Sequence, residues 1–315
     1  MLWPDLSEEL GLRFQPARRT LIPVATESDH LYNQDMSDFR IRLMRPDEIS
    51  TAVGWAAAEG WNPGLADASC FAVADPRGFL IGEFDGVPAA TISCVNYGAN
   101  FSFLGFYLVR ADLRGRGYGL RMWKQAIAHA GQRVIGLDGV VAQQQNYRKS
   151  GFELAYANVR YGGAIVASDR PPADVIALSK IPLAMVTASD ATVFPAPRTA
   201  FLRAWINSPG HAGCARVRDG RLAGFGVIRP CRQGYKIGPL VADNRATAEV
   251  VLSALVDKVG GGHIFLDVPG INRDAMALAE DLGLAPVFET ARMYTGAIPP
   301  LLMDRLFGVT TFELG

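Results

Sequence analysis

Six consecutive residues, Arg114-Gly115-Arg116-Gly117-Tyr118-Gly119, have the composition of an anion cradle. Glycines let backbone N–H groups approach a charged oxygen closely, and two arginines add positive charge. The segment joins a β-like run, Phe103 to Val109, to a helix-like run, Leu120 to Ala130, so the positive end of a helix dipole would face the same point. A plain surface turn is one reading. A dinucleotide-binding turn is another, supported by Asp138 about 20 residues downstream at a strand end, where a ribose-binding acid belongs. Two details weaken it: Leu120 stands in the third glycine position, and Arg110 to Leu113 separate the strand from the turn.

A loop of this kind needs a strand behind it and a helix ahead, and the chain supplies both within a longer alternation. The pattern predicts a strand from Arg40 to Met44, a helix from Pro46 to Glu59, and strands around Phe71 to Ala74, Phe79 to Phe84, Ala89 to Tyr97 and Phe101 to Val109. Asp75-Pro76-Arg77-Gly78 and Asp85-Gly86 have turn chemistry. Leu120, Trp123, Ile127 and Ala130 fall at helical spacing. Val134 to Leu137 reads as a buried strand, Gln143 to Lys149 as a helix stopped by Gly151, and Ala155 to Val166 as a closing strand pair. Residues 1–37 show no sustained periodicity and read as an arm, and Ser168-Asp169-Arg170-Pro171-Pro172 opens a linker.

Composition bounds the possibilities. With 315 residues, 49% hydrophobic and 20% charged, the chain is compact and long enough for two domains. Lys plus Arg and Asp plus Glu both number 31, which gives no overall pull toward nucleic acid or an anionic membrane. Cys70, Cys94, Cys214 and Cys231 form no CxxC pair, which argues against a structural zinc site and a disulfide framework and fits a reducing cytoplasm. No apolar run reaches the roughly 18 residues of a membrane span, and the N-terminus lacks the order of a secretory signal.

A second motif follows the loop: Asn146-Tyr147-Arg148-Lys149-Ser150-Gly151-Phe152. With Arg114, Gly117, Gly119 and the element order before them, it makes residues 38–166 resemble the Gcn5-related N-acetyltransferases, which carry an R-x-x-G-x-G loop and an L-Y-x-K-x-G-F segment. The resemblance implies a mixed, mostly antiparallel sheet flanked by helices, acetyl-CoA as cosubstrate, no metal, and acetyl transfer to an amine. It also implies that the N–H groups of Arg116, Gly117, Tyr118, Gly119 and Leu120, beside Arg114 and Gly115, hold the pyrophosphate. The strand Phe106, Tyr107, Leu108, Val109 would splay from its neighbour to pair with pantetheine, with the Leu108 N–H meeting the thioester oxygen. Tyr147 takes the role of acid, because a phenol with pKa about 10 keeps its proton at neutral pH yet can give it to a thiolate.

No base is assigned, since Phe101 to Val109, where relatives place a glutamate on or near the strand, holds no carboxylate. Glu59, Asp67, Glu83 and Asp85 remain, with Asp67 readable as a cap, Glu83 as a solvated strand position and Asp85 as a turn; a water chain is the alternative. His129 reads as a cation at a helix C-terminus. Trp55, Trp61, Tyr97 and Phe101 lie in segments that line the acceptor side in this family, with core packing as the other reading.

From about Ile181 the chain repeats the first half in outline. Val109-Arg110-Ala111-Asp112-Leu113-Arg114 is echoed by Val241-Ala242-Asp243-Asn244-Arg245, Leu137-Asp138 by Leu266-Asp267, and Gly151-Phe152 by Gly283-Leu284. Asn272 to Leu284 matches the family's N-x-x-A-x-x-L-Y-x-x-x-G-F segment, but Ala279 fills the tyrosine slot and Asn244-Arg245-Ala246-Thr247-Ala248 lacks the glycine pair. The first half, conversely, has Val140 where that segment has its asparagine.

The sequence therefore predicts an α/β chain of two tandem acyl-CoA N-acyltransferase-like domains: a catalytic domain over 38–167, a linker over 168–180, and a degenerate domain over 181–315 that shapes the acceptor site. The predicted activity is acetyl transfer from acetyl-CoA to a primary amine of a small molecule through a ternary complex. No nucleic acid or membrane partner is expected, with room left for a homodimer. A non-catalytic acyl-CoA sensor, motivated by the missing base, and a nicotinamide-dependent oxidoreductase stay open. Phe312-Glu313-Leu314-Gly315 receive no role.

Overall fold

The computed structural model describes residues 38–168, 172 and 174–315; the expected arm and linker residues Asp169, Arg170, Pro171 and Ala173 lie outside the described residues. The first half runs β1 (Phe39–Leu43), α1 (Ile49–Ala58), α2 (Asp67–Ala72), β2 (Phe79–Phe84), β3 (Val87–Tyr97), β4 (Phe101–Val109), α3 (Tyr118–Ala130), β5 (Val134–Val140), α4 (Gln144–Lys149) and β6 (Phe152–Ile165). The second runs β7 (Val175–Ala177), α5 (Leu183–Asp190), α6 (Thr199–Ile206), β8 (Ala212–Arg218), β9 (Arg221–Pro230), β10 (Tyr235–Ala242), α7 (Arg245–Val259), β11 (Gly262–Pro269), α8 (Arg273–Asp281), β12 (Ala285–Thr295) and β13 (Leu306–Gly308).

Two expected elements differ. Phe71 to Ala74, predicted as a strand, belongs to the end of α2 and the turn after it. Short apolar runs are ambiguous in period, and here the Asp67 carboxylate accepts the Gly64 N–H at 2.8 Å and starts a helix that drives Phe71 against Phe106 and Trp205. The expected closing pair is instead one 14-residue strand, β6. Gly162 and Gly163 look like a turn in sequence, but they stay extended because the Phe265 ring covers one and Leu284 the other.

The strands join one 13-stranded sheet in the order β1-β2-β3-β4-β5-β12-β6-β11-β10-β9-β8-β7, with β13 added to β10. The halves exchange their closing strands: β5 pairs with β12, and β11 with β6. Two buried bidentate ion pairs fix this exchange, Arg160 on Asp267 at 2.6 and 2.8 Å and Arg292 on Asp138 at 2.7 Å through both nitrogens. Helices α1 and α2 share one apolar layer with α5 and α6 on one face of the sheet. Helix α3 covers the opposite face in the first half, and α7 and α8 do so in the second. Among the described residues no helix is long and apolar enough to cross a membrane.

Candidate active site

Parallel pairing between β4 and β5 runs from Phe101 opposite Val134 to Leu104 opposite Leu137 and stops there. The cause is a bulge. Phe106 has φ 47°, the β3–β4 register shifts between Thr91 and Ser93, and the Thr91 hydroxyl donates to the Phe106 carbonyl at 2.8 Å. A bulge turns a strand away from its neighbour, so β4 and β5 diverge. Gly105 is the one residue of β4 that is not buried. Across the gap the Asp138 side chain is fully buried while the residue is half-buried, which leaves its backbone as the open part.

The pleat decides which N–H groups face this gap. The Arg110 N–H donates to Ala89 of β3, and alternate residues of a strand point the same way, so Leu108 also faces β3. Tyr107 and Val109 face the gap, and Arg114 Nε reaches the Val109 carbonyl from that side at 2.8 Å. This corrects the expected role of the Leu108 N–H.

At the loop, Gly115 and Gly117 have φ 77° and 82°, values that L side chains rarely adopt. Gly117 is the N-cap of α3 and provides no side-chain cap, so the first-turn N–H groups of Tyr118, Gly119 and Leu120 have no helical partners. A Cβ placed on Gly115 or Gly117 would meet nothing within 4 Å, so open space lies over these N–H groups. Gly119 has another purpose: a Cβ there would sit 2.7 Å from the Tyr107 hydroxyl, so its absence lets α3 lie close on β4. Arg114 braces the turn, bonding Glu59 at 2.7 Å as well as Val109, while Arg116 is exposed. The Tyr118 ring is buried against Phe39 and Phe84.

Helix α4 places the Tyr147 ring over Gly139 of β5, stacked on Trp123 at 5.9 Å and edge-on to Phe152. Burial pushes its phenol up to about 12. Among the described residues no hydrogen bond ends on its hydroxyl, which leaves it able to give its proton to a ligand in the gap.

A strand gap, an uncapped helix start and a phenol on the next helix form one constellation, and comparison with known proteins agrees with it. The model described as acetyltransferase (GNAT) family matches residues 35–152, and that described as acetyltransferase (GNAT) domain matches residues 186–308. Holothin acyltransferase of Pseudoalteromonas sp. (strain SANK 73390) is 32% identical over 262 residues, covering 83% of this chain and 89% of the relative. The chain belongs to the GNAT acyltransferase family. A solved chain from Pyrococcus horikoshii, described as an acetyltransferase, has TM-score 0.75 at 23% identity, covering 91% of this chain and 100% of that one. A tandem GNAT protein from the clavulanic acid biosynthesis pathway has TM-score 0.56 at 16% identity, covering 82% and 99%. Both have the same fold.

The second GNAT half has closed its own gap. Pairing of β10 with β11 ends at Ile237 opposite Leu266, as in the first half, but β13 then lies along β10 with Leu240 opposite Gly308. Val309 donates to the Asp267 carbonyl at 2.7 Å, so the protein's own chain bridges the diverging strands. The N-terminus of α7 is also satisfied, since the Asn244 side chain accepts from Thr247 N at 3.0 Å. Nothing in the composition of Leu306 to Gly308 announces this, because a three-residue strand has no readable period.

Other candidates resolve into structure. The Asp138 carboxylate is taken up by Arg292 and Asn158, which removes it as a ribose ligand and removes the nicotinamide reading with it. Glu59 holds Arg114, Glu83 holds Arg42, and Asp67 is buried on Arg229. Asp85 is a turn residue with φ 47°. His129 bonds Asp75 at 2.8 Å and lies beside Asn96. Tyr97 and Phe101 pack in the core, whereas Trp55 and Trp61 are half-buried.

Proposed function

We propose that the first half binds acetyl-CoA and passes its acetyl group to a primary amine of a small-molecule acceptor by direct attack within a ternary complex. In this reading residues 38–167 are the catalytic domain, and residues 181–315 form a degenerate domain that binds no acyl-CoA and walls the acceptor. The observation that carries it is the open parting of β4 from β5 at Gly105 beside an uncapped helix, where the second half fills its own parting with β13. The second half supplies a template, since β13 is an extended chain lying in the equivalent gap. A pantetheine arm is likewise extended and amide-bearing, and in the first half the N–H groups of Tyr107 and Val109 and the Asp138 backbone face the gap and would pair with it.

Bound there, an acyl-CoA supplies a thioester, an acyl group activated toward amines. The chain's own residues do the rest. Tyr118, Gly119 and Leu120 would direct N–H groups and a helix dipole at the pyrophosphate, with Arg116 adding charge. The Tyr107 N–H would polarise the acyl carbonyl. Tyr147, held protonated by burial, would give its proton to the departing sulfur. Trp61, whose carbonyl accepts from Arg160 of the exchanged strand β6, and Met303 beside Tyr156 belong to the layer on the far face of the gap, which favours an acceptor wall built by both halves. A relative named for acylating holothin, 32% identical over 262 residues, supports acyl transfer by this chain as well.

The test is thiol release from acetyl-CoA and longer acyl-CoAs with a panel of amines. Acetyl-CoA turnover that saturates in both substrates supports the proposal. Acyl-CoA binding with no thiol release from any amine overturns it.

A further inference from the structure

No carboxylate lies on β4, yet the backbone of a glutamate from the other half packs against that strand. Beyond β13 the backbone crosses Gly238, where Val309 and Thr310 leave no room for a Cβ, and arrives at β4, where the Glu313 carbonyl leaves none at Gly105. The segment is fastened in place: Leu314 N donates to Thr311 Oγ1 at 2.9 Å, Tyr97 Oη to the Leu314 carbonyl at 3.1 Å, and Arg198 Nη1 to the Gly315 carbonyl at 2.6 Å. Gly105 is also where β4 leaves β5 and where that strand is open. The second half thus delivers a glutamate to a strand that has no carboxylate of its own.

The Glu313 side chain is 2% exposed, and neither of its oxygens has a hydrogen-bond partner among the described residues. The charged groups acting on it are Lys236 of β10, Asp67 of α2, Arg160 of β6 and Arg229 of β9, with Asp267 of β11 next to Lys236. Arg160 is committed to Asp267 and Arg229 Nε to Asp67. Lys236 Nζ lies 4.0 Å from Asp267 Oδ2 without a hydrogen bond, and both terminal nitrogens of Arg229 have none. Buried charged groups left unsatisfied are strongly unfavourable. Lys236 and Arg229 act on Glu313 electrostatically and all three keep polar atoms without hydrogen bonds, so a polar ligand would be favoured there. Burial holds the Glu313 carboxyl above the ordinary range, which brings a carboxylate closer to the strength a base needs near neutral pH.

We propose that Glu313, presented by the second half, is the proton acceptor for the amine acylated in the first half; this rests on the acyl-transfer function proposed above. Glu313 removes one proton from the ammonium form of the acceptor. The freed lone pair forms the C–N bond while the C–S bond breaks, and the electron pair of that bond stays on sulfur, which is protonated from Tyr147. The proton then lost by the acylated nitrogen restores Tyr147. The balance is ammonium plus thioester giving amide plus thiol plus one proton, which Glu313 releases to water.

The variants Glu313→Gln and Glu313→Asp test this on the full chain. In Glu313→Gln, kcat/KM falls by about 100-fold or more, and the acetyl-CoA dissociation constant is unchanged. The wild-type rate climbs as pH rises through the elevated Glu313 pKa. That limb vanishes in Glu313→Gln, and Glu313→Asp keeps both the limb and part of the rate. A Glu313→Gln rate within about threefold of wild type, or an unaltered pH limb, overturns the assignment while leaving acyl transfer standing. A wild-type chain that binds acetyl-CoA and acylates no amine overturns both.

Discussion

Tyr147 and Leu108 show how far a residue's type determines its role. The place of the phenol follows from the segment Asn146 to Phe152, and the structure puts its ring beside Trp123 over the edge of β5; its role as acid is a proposal. Replacing it by phenylalanine keeps that packing and removes only the proton. Tyr147→Phe should lower kcat by about 100-fold or more with unchanged acetyl-CoA affinity and thermal midpoint. Because burial holds the phenol's proton until about pH 12, the loss should be the same throughout the neutral range. Steady-state rates against pH measure this, and an unchanged kcat would remove Tyr147 from the chemistry. Leu108 was not assignable in the same way. Which N–H faces the gap depends on the phase of the pleat, and that phase is reset by Phe106 at φ 47°, a conformation no aromatic residue announces. Glu313 was illegible for another reason: its place against Gly105 comes from a chain crossing between halves, not from any local pattern.

Among the elements, the strands flanking the loop, the helix after it and the helix carrying Tyr147 all follow from local periodicity and turn chemistry. The pairing of β5 with β12 and of β6 with β11 does not, because partner choice is written in distant side chains. The echo of Leu137-Asp138 in Leu266-Asp267 was visible, but its meaning was not: each aspartate binds the arginine of the other half's strand. Removing one partner of such a pair leaves a buried charge alone. Arg292→Met should therefore cost about 3–5 kcal/mol of stability, read as a lower urea midpoint, and adding Asp138→Asn should recover a good part of it. A single variant as stable as wild type would show that the exchanged strands do not depend on this pair.

In the whole molecule the two GNAT halves share one sheet and one helical layer, and they differ at the gap. The first half leaves its diverging strands open and its helix start uncapped. The second fills the gap with β13 and caps its helix with Asn244. The loss of the glycine pair at Asn244 to Ala248 made the second half's degeneracy legible, while the strand that plugs it was not. Amide hydrogen exchange with and without acetyl-CoA tests this asymmetry. Exchange should slow at Tyr107, Val109, Tyr118, Gly119 and Leu120 and stay unchanged at Leu240 to Ala242 and Arg245 to Thr247. Protection in the second half's segments, or none in the first's, would contradict it.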